Sequence, residues 1–267
     1  MHRRTAIIWI SAALFQPATA RQRDPALSAL HTCRQLLRVE TGSWGASNGV
    51  LTLWLRERDG GPWRQDGRAI PVSLGRAGLR WGRGWHEIPG GATRKREGDG
   101  CSPAGIFSLD TAFGDMPAGE SGVSRWPWRQ MTSSHAGVDD SRSRYYNRIV
   151  DSAKVKRDWS SAENMVPKSG VYRRGVVVRH NWDQKPNGGS CIYLHIWSGR
   201  LAPTAGCTAM SEKNLRKILG WLDSRRHPLL VQLPATGWRS FGAAWGLPAA
   251  QATFIAGKTT KNAQNAR

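Results

Sequence analysis

A histidine and a cysteine flank a loop of small residues in the stretch LHIWSGRLAPTAGCTAMS, which runs from Leu194 to Ser211. Three chemistries fit His195 and Cys207: a thiol nucleophile with its base, part of a disulfide or metal site, or ordinary core packing. A zinc site that also used His180 would have the right ligand types. None of the three has the tight Cys-x2-Cys or His-x3-His spacing of known zinc sites, so the nucleophile and the disulfide are the stronger alternatives.

The position of Cys207 favours an activated thiol. It follows the small-residue turn APTAG and stands just before a segment with a helical pattern, so backbone N–H groups and the positive end of a helix dipole are expected to lower its pKa. His195, on a predicted strand, is placed to act as the base. The amides of Gly206 and Cys207 are candidates to receive a developing oxyanion.

The cysteine count keeps the disulfide alternative open. The chain has four cysteines, Cys33, Cys101, Cys191 and Cys207. Two disulfides would suit an oxidising compartment, whereas a free catalytic thiol leaves room for one at most. A bond between Cys101 and Cys191 is conceivable, and Cys33 would then be unpaired. The count alone does not decide between these arrangements.

The elements that must position these residues read as strands. From Gln35 onward, short runs rich in β-branched and aromatic residues alternate with Gly, Pro and Asp. In GVLTLWLRERDG, the leucines at 51, 53 and 55 share one face, which we expect to point inward. The strands RGVVVRHNW and SCIYLHIW precede a short amphipathic helix capped by Ser211. The sum is a mainly β single domain with few helices.

The middle of the chain, 114–167, is rich in Ser, Arg and Gly and has weak periodicity. It is expected to be a long surface excursion with short irregular structure, and loops of this length in compact domains are often functional. Many of the 14 tryptophans suit core packing, although Trp81, Trp85, Trp126 and Trp128 could stack on sugars in a wall-binding groove.

The ends of the chain have their own signals. Residues 1–20 resemble a secretory signal peptide: basic HRR, an apolar run too short for the roughly 20 residues that cross a bilayer, and small residues at Ala18 and Ala20. We therefore predict an N-terminal arm at 21–34, a catalytic domain at 35–234 and a polar C-terminal tail at 235–267. Export to the periplasm or cell envelope is expected, with no transmembrane segment in the mature chain.

The formal charge of +20 bears on partners, and 39% hydrophobic residues exclude a disordered chain. Inside a cell such a charge would suggest nucleic acid. For an exported protein, anionic cell-envelope polymers are the relevant polyanions, and nucleic acid is the least favoured partner. The plain alternative is that most arginines form a solvated face.

The segment His195-(x)8-Thr204-Ala-Gly206-Cys207-x-Ala-Met resembles the active-site signature of the L,D-transpeptidase catalytic domain (YkuD-type) family, and EGDGCSPAGIFSL resembles a strand that precedes it there. The resemblance covers 35–234. It implies an L,D-transpeptidase-like β-sandwich of mixed sheets with a few short helices. It implies no metal and no cofactor.

By that resemblance Cys207 is the nucleophile, His195 the base, Ile196 the main-chain carbonyl that orients the histidine, and Gly206 and Cys207 the oxyanion amides. The substrate is a peptidoglycan stem peptide, attacked to give a thioester. The residues predicted to bind it are Thr204, Arg200, Arg179, His180 and Trp197, with the arginines meeting carboxylates. His180 has a structural alternative.

Two departures from the family pattern leave the second substrate open. The loop between His195 and Cys207 is short, and Ala209 stands where typical members have arginine. An amine acceptor gives transpeptidation, whereas water gives an L,D-carboxypeptidase or another amide hydrolase. A non-catalytic, basic cell-wall-binding protein is the alternative from another class.

Overall fold

A computed structural model describes residues 25–248, so the predicted signal peptide at 1–20 and residues 249–267 lie outside it. The described chain contains three α-helices: α1 (Pro25–Thr32), α2 (Glu212–Trp221) and α3 (Ala235–Phe241). Its strands are β1 (Gln35–Thr41), β2 (Asn48–Leu55), β3 (Arg64–Ser73), β4 (Leu79–Trp81), β5 (Ser102–Gly114), β6 (Trp128–Gln130), β7 (His135–Val138), β8 (Arg148–Asp151), β9 (Ala162–Asn164), β10 (Arg174–Val178), β11 (Tyr193–Ile196), β12 (Thr208–Met210) and β13 (Leu229–Pro234). No helix within 25–248 is long and apolar enough to cross a membrane.

Eight strands form a closed ring, which we call the main sheet. Its order is β10-β11-β12-β3-β2-β1-β13-β5, and β5 also pairs with β10, which closes the ring. The short strands β4 and β6 each pair with β5 outside the ring. Parallel pairs, such as β1 with β13 and β11 with β12, occur beside antiparallel ones. The prediction of a mainly β fold with mixed sheets and few short helices is confirmed.

The main core packs against the inner side of the main sheet. Leu51 and Leu53 of β2 are at most 1% exposed, as the alternation predicts, whereas Leu55 is half-buried and Thr52 and Trp54 on the opposite face are buried too. In α2, the side chain of Ser211 accepts a hydrogen bond from Asn214 N–H, and the apolar side chains at helical spacing are fully buried. Both the cap and the apolar face of the predicted helix are therefore present.

The packed part extends past both predicted domain boundaries. Ala26 and Leu30 of α1 are buried in the main core. At the other end, Trp238 of α3 donates a hydrogen bond to Val39 O, and the guanidinium of Arg38 lies 4.1 Å from its ring. The boundary predicted after 234 is thus too early, because α3 buries an indole that its Ala-, Gly- and Thr-rich surroundings did not signal.

The 114–167 excursion is more regular than predicted. Three of its strands form a second, antiparallel sheet in the order β8-β7-β9, which we call the small sheet. Gly137 of β7 lies so close to the main sheet that a Cβ there would sit 2.7 Å from the Tyr193 hydroxyl oxygen. The small sheet therefore lies directly over β11, on the side opposite the main core.

Candidate active site

The alternation of β11 divides its side chains between two environments. Ile192 and Leu194 belong to the main core, whereas Tyr193 belongs to a second apolar cluster beneath the small sheet. Because strand residues two apart share a face, His195 lies on the same side as Tyr193. The predicted base thus faces the small sheet.

Cys207 lies beside this face. The parallel register pairs Leu194 with Thr208 and His195 with Ala209, which places Cys207 next to Tyr193 and diagonal to His195. Its Sγ accepts a hydrogen bond from Tyr193 N–H (3.2 Å) and donates one to Cys191 O (3.3 Å). Within 25–248, no hydrogen bond joins Cys207 to His195, so the thiol is held away from the imidazole in this conformation.

The expected helix-dipole activation of Cys207 is wrong. Strand β12 and the cap residue Ser211 separate Cys207 from the first turn of α2. Instead of being lowered, the pKa of the thiol is raised far above its usual range, mainly by burial and further by the carboxylate of Glu163. The Tyr193 N–H and the Lys95 ammonium oppose this rise. Cys207 therefore rests as a neutral thiol.

His195 has a defined tautomer. Its Nδ1 lies 2.7 Å from Ile196 O, and because a carbonyl oxygen only accepts, Nδ1 carries the proton and Nε2 is left as an acceptor. Burial lowers the pKa of the imidazole to about 4. The ring of Tyr172 packs edge-on against it, with centroids 5.2 Å apart. The imidazole is thus neutral at physiological pH, which a proton acceptor requires.

The loop before Cys207 is held by its own hydroxyl groups. Thr204 Oγ1 donates to Cys207 O (2.6 Å) and accepts from Gly206 N–H (3.1 Å), and Ser102 Oγ also donates to Cys207 O (3.1 Å). A Cβ at Gly206 would lie 3.0 Å from Cys101 O, which explains a glycine there. The Thr204 hydroxyl and the Gly206 amide are therefore both engaged inside the loop.

His180 is built into the interior. Its ring is fully buried; Nδ1 accepts from Arg83 N–H, and Nε2 donates to Gly188 O. Burial lowers its pKa to about 3, and the Lys95 ammonium adds to the shift. Both nitrogens are used between protein groups, which favours the structural role over substrate contact.

The other predicted substrate-binding residues lie at different depths. Arg179 makes an ion pair with Asp110 (2.8 Å) and lies over the Trp182 ring. Arg200 is exposed on the loop that leads to Cys207, and Trp197 is half-buried with its N–H donated to Met210 O. Arg200 is thus the solvent-facing cation of the His-to-Cys loop.

The proposed disulfide is wrong. All four cysteines are free and buried. Cys101 Sγ donates to Ala77 O (3.3 Å), whereas Cys191 lies under the small sheet in the cluster that contains Cys207. Cys101 is not part of that cluster, and Cys101 and Cys191 are not bonded to each other. Among residues 25–248, no group of three or more His, Cys, Asp and Glu side chains could hold a metal ion.

The small sheet adds a carboxyl group that the sequence analysis missed. Glu163 of β9 accepts a hydrogen bond from Tyr172 Oη (2.6 Å), the residue that packs on His195. Burial raises the Glu163 pKa to about 7, with Asp139 and Glu97 adding to the rise and Tyr172 opposing it. No motif marked this pair, because Glu163 lies in a three-residue strand without alternation.

The sequence profile of the L,D-transpeptidase catalytic domain (YkuD) family matches residues 52–232. The chain belongs to this family. A search of curated protein sequences found no match. Among solved structures, the chain is similar to the helical cell shape determining protein Pgp2 from Campylobacter jejuni, with 13% identity and a TM-score of 0.38. The match covers 80% of this chain and spans 55% of that one.

The fold gives a physical reason for one departure from the usual YkuD pattern. Ala209 is fully buried in β12, pairs with Ser73 of β3 and stands beside His195. The backbone there is enclosed by strands on both sides. A larger side chain at this fully buried position would have to displace its packed neighbours.

Proposed function

We propose that the protein is an exported, cysteine-dependent L,D-transpeptidase that acts on peptidoglycan stem peptides. The observation that supports this most is the hydrogen bond from His195 Nδ1 to Ile196 O, because it leaves Nε2 unprotonated on the sheet face next to Cys207. Membership of the YkuD family supports the substrate class. Cys207 serves as the nucleophile and His195 as the base.

The first half-reaction forms a thioester. Rotation of the Cys207 side chain moves the thiol from Cys191 O toward His195, and Nε2 takes its proton as Sγ attacks the peptide carbonyl carbon. The tetrahedral intermediate collapses as the C–N bond breaks. The departing amine takes the proton from the imidazolium, which leaves the acyl group on Sγ and a neutral histidine.

The second half-reaction releases the acyl group. An amine of a neighbouring stem attacks the thioester carbonyl, His195 accepts its proton, and the Cys207 thiolate leaves and takes that proton back. Water in place of the amine gives hydrolysis. In both halves the Cys207 amide is the oxyanion donor that we retain, because the Gly206 amide already donates to Thr204.

The neutral state of both groups dictates when the nucleophile forms. A raised thiol pKa and an imidazole pKa of about 4 keep the pair uncharged at pH 7. Thiolate therefore forms only as substrate is attacked, with His195 acting as a general base. Arg200, exposed on the loop before Cys207, is the proposed partner of a substrate carboxylate.

Product analysis tests this proposal against its alternatives. Purified muropeptides are incubated with the wild-type protein and with Cys207→Ala, and the products are resolved by mass spectrometry. Crosslinked dimers, absent with the variant, are expected. Trimmed monomers alone would assign hydrolysis, and products that persist with Cys207→Ala would overturn the mechanism. Sacculus binding without turnover in either protein would favour the wall-binding alternative.

Export is tested separately from chemistry. The full chain and a chain starting at residue 21 are expressed with the same C-terminal epitope, and cell fractions are compared. We expect the full chain in the periplasm, shortened by the mass of residues 1–20, and the truncated chain in the cytoplasm. Equal retention of both in the cytoplasm would contradict export.

A further inference from the structure

Trp85 is unusual among the tryptophans of the described residues. It is 45% exposed, and the only other exposed large hydrophobic side chain within 25–248 is Leu27. The indole N–H donates to Ser108 Oγ at 2.7 Å, which holds the ring in place. A large ring that is both exposed and fixed forms a flat apolar platform on which an apolar face of a ligand can stack.

Two adjoining cavities, of about 680 Å3 and 570 Å3, meet at this platform and share Trp85, Ser108 and Arg179 in their walls. Trp126 lines the first cavity and Trp182 the second. We call the surface formed by Trp85, Trp126, Trp182, Asp110 and Arg179 the Trp groove. Trp85 is the exposed indole of this groove and Trp126 is half-buried, whereas the guanidinium groups of Arg148 and Arg179 lie over the Trp182 ring. The Asp110–Arg179 ion pair lies beside these rings.

The chemistry of the Trp groove suits a saccharide. Indole faces pack against the C–H faces of pyranose rings, and a carboxylate beside a guanidinium offers acceptors and donors to adjacent hydroxyl groups. Single-stranded nucleic acid also stacks on aromatic rings, but it needs unpaired positive charge for its phosphates. Here the carboxylate of Asp110 pairs with Arg179 (2.8 Å), and Asp183 lines the second cavity together with Arg83, so each of these guanidinium groups is accompanied by a carboxylate, which disfavours a phosphate backbone.

A third cavity, of about 200 Å3, adjoins the Trp groove, with which it shares Asp110 and Trp182. Asp110 and Thr111 line it at one side, and Phe113 and Tyr193 line it at the other. Tyr193 is the residue whose N–H contacts the Cys207 thiol. The third cavity thus ends at Tyr193, the buried neighbour of Cys207, and Cys207 itself does not line it.

The distance from the Trp groove to Cys207 matches the length of a short peptide attached to a sugar. Strand β5, which carries Asp110, is joined through β10 and β11 to β12, which follows Cys207. Three inter-strand spacings correspond to about 14 Å. An extended peptide of three to five residues spans roughly 10–18 Å. A stem peptide whose reacting bond lies at Cys207 therefore places its sugar end at the Trp groove.

We propose that the Trp groove binds the glycan strand to which the stem peptide is attached, so that the enzyme holds saccharide and peptide at once. This inference rests on the proposed function for the identity of the peptide. It extends the substrate from a free peptide to a peptide on its saccharide strand.

The test uses glycan strands freed of peptide by an amidase, with binding followed by isothermal titration calorimetry. Trp85→Ala is compared with the wild type and with Trp63→Ala, which removes a half-buried indole outside the Trp groove. We expect Trp85→Ala to weaken binding about tenfold or more and Trp63→Ala to leave it unchanged. Circular dichroism and the thermal midpoint establish that each variant is folded.

Activity on two substrates separates this inference from the proposed function. Trp85→Ala should lose turnover on intact sacculi and keep it on free stem peptides. Unchanged glycan affinity in a folded Trp85→Ala protein would overturn the inference, as would wild-type binding to single-stranded DNA but not to glycan strands. Glycan binding that depends on Trp85, together with an active Cys207→Ala protein, would overturn the proposed mechanism and would still support glycan binding at the Trp groove.

Discussion

The main sheet and the small sheet meet over Cys207 and contribute different things to the site. The main sheet carries His195 on β11 and Cys207 directly before β12, and both side chains are held by hydrogen bonds to neighbouring backbone groups. The small sheet supplies Glu163 and a cover that touches β11 through Gly137. One sheet positions the two groups proposed to react, and the other encloses them.

The difference between the two sheets predicts how substitutions in each sheet affect turnover. A residue in the main sheet is held by paired strands on both sides, so its replacement removes or misplaces a reacting group. A residue in the small sheet acts through burial and charge, so its replacement should change pH dependence and access instead.

Replacing Cys207 by alanine should have the largest effect. Loss of the nucleophile is expected to reduce turnover of muropeptides by about 10^4-fold or more, because no thioester can form. The matched control is Cys33→Ala, which removes a buried thiol from the main core. Turnover is measured by chromatography of muropeptides. Equal loss in both variants would show that the effect is structural.

Replacing His195 by glutamine should come next. Because the glutamine amide cannot take the proton of the thiol, turnover is expected to fall about 10^2- to 10^4-fold, whereas binding of the stem peptide should change little. His31→Gln changes an exposed histidine on α1 and serves as the control. A mutant that keeps full turnover would remove His195 from the mechanism and would end the functional distinction between the two sheets.

That these two residues lie close together could be predicted from the sequence. The burial of Leu51 and Leu53 was predictable from the leucines at every second position of β2, although the burial of the opposite face was not, and α2 was predictable because a cap precedes apolar residues at helical spacing. The small sheet was not predictable, since its strands are three or four residues long and mostly half-exposed. The raised pKa of the Cys207 thiol was not predicted, because the three-residue strand β12 that separates Cys207 from α2 is too short to recognise in the sequence.

Replacing Glu163 by glutamine tests the contribution of the small sheet. With a pKa of about 7, the Glu163 carboxyl is neutral below pH 7 and ionised above it, and its charge raises the Cys207 pKa. Wild-type activity should therefore fall as pH rises through 7. Glu163→Gln stays neutral and should lose that fall, giving roughly three- to tenfold more activity than the wild type at pH 9.

The control for this experiment is Glu87→Gln, an exposed carboxylate elsewhere on the surface. The ratio of kcat/KM to that of the wild type is measured from pH 5 to pH 9. Parallel pH profiles for Glu163→Gln and the wild type would mean that Glu163 does not influence Cys207. The small sheet would then act as a cover alone.

The smallest expected effect comes from a substitution at Ser211, the cap of α2, which makes no hydrogen bond to Cys207 or His195 within 25–248. Ser211→Ala removes the side-chain cap of α2 and should lower the free energy of unfolding by about 1 kcal/mol, with kcat unchanged. Urea denaturation measures the first quantity and muropeptide turnover the second. A large loss of kcat would mean that α2 influences Cys207 in spite of the intervening strand.

The most direct test of the mechanism is the mass of the intact protein after brief incubation with a donor muropeptide, followed by peptide mapping. We predict one acyl group per chain, attached to Cys207 through a bond that hydroxylamine cleaves, and none on Cys207→Ala. An acyl group on Cys191, or turnover with Cys207 never acylated, would contradict the assignment of Cys207 as the nucleophile.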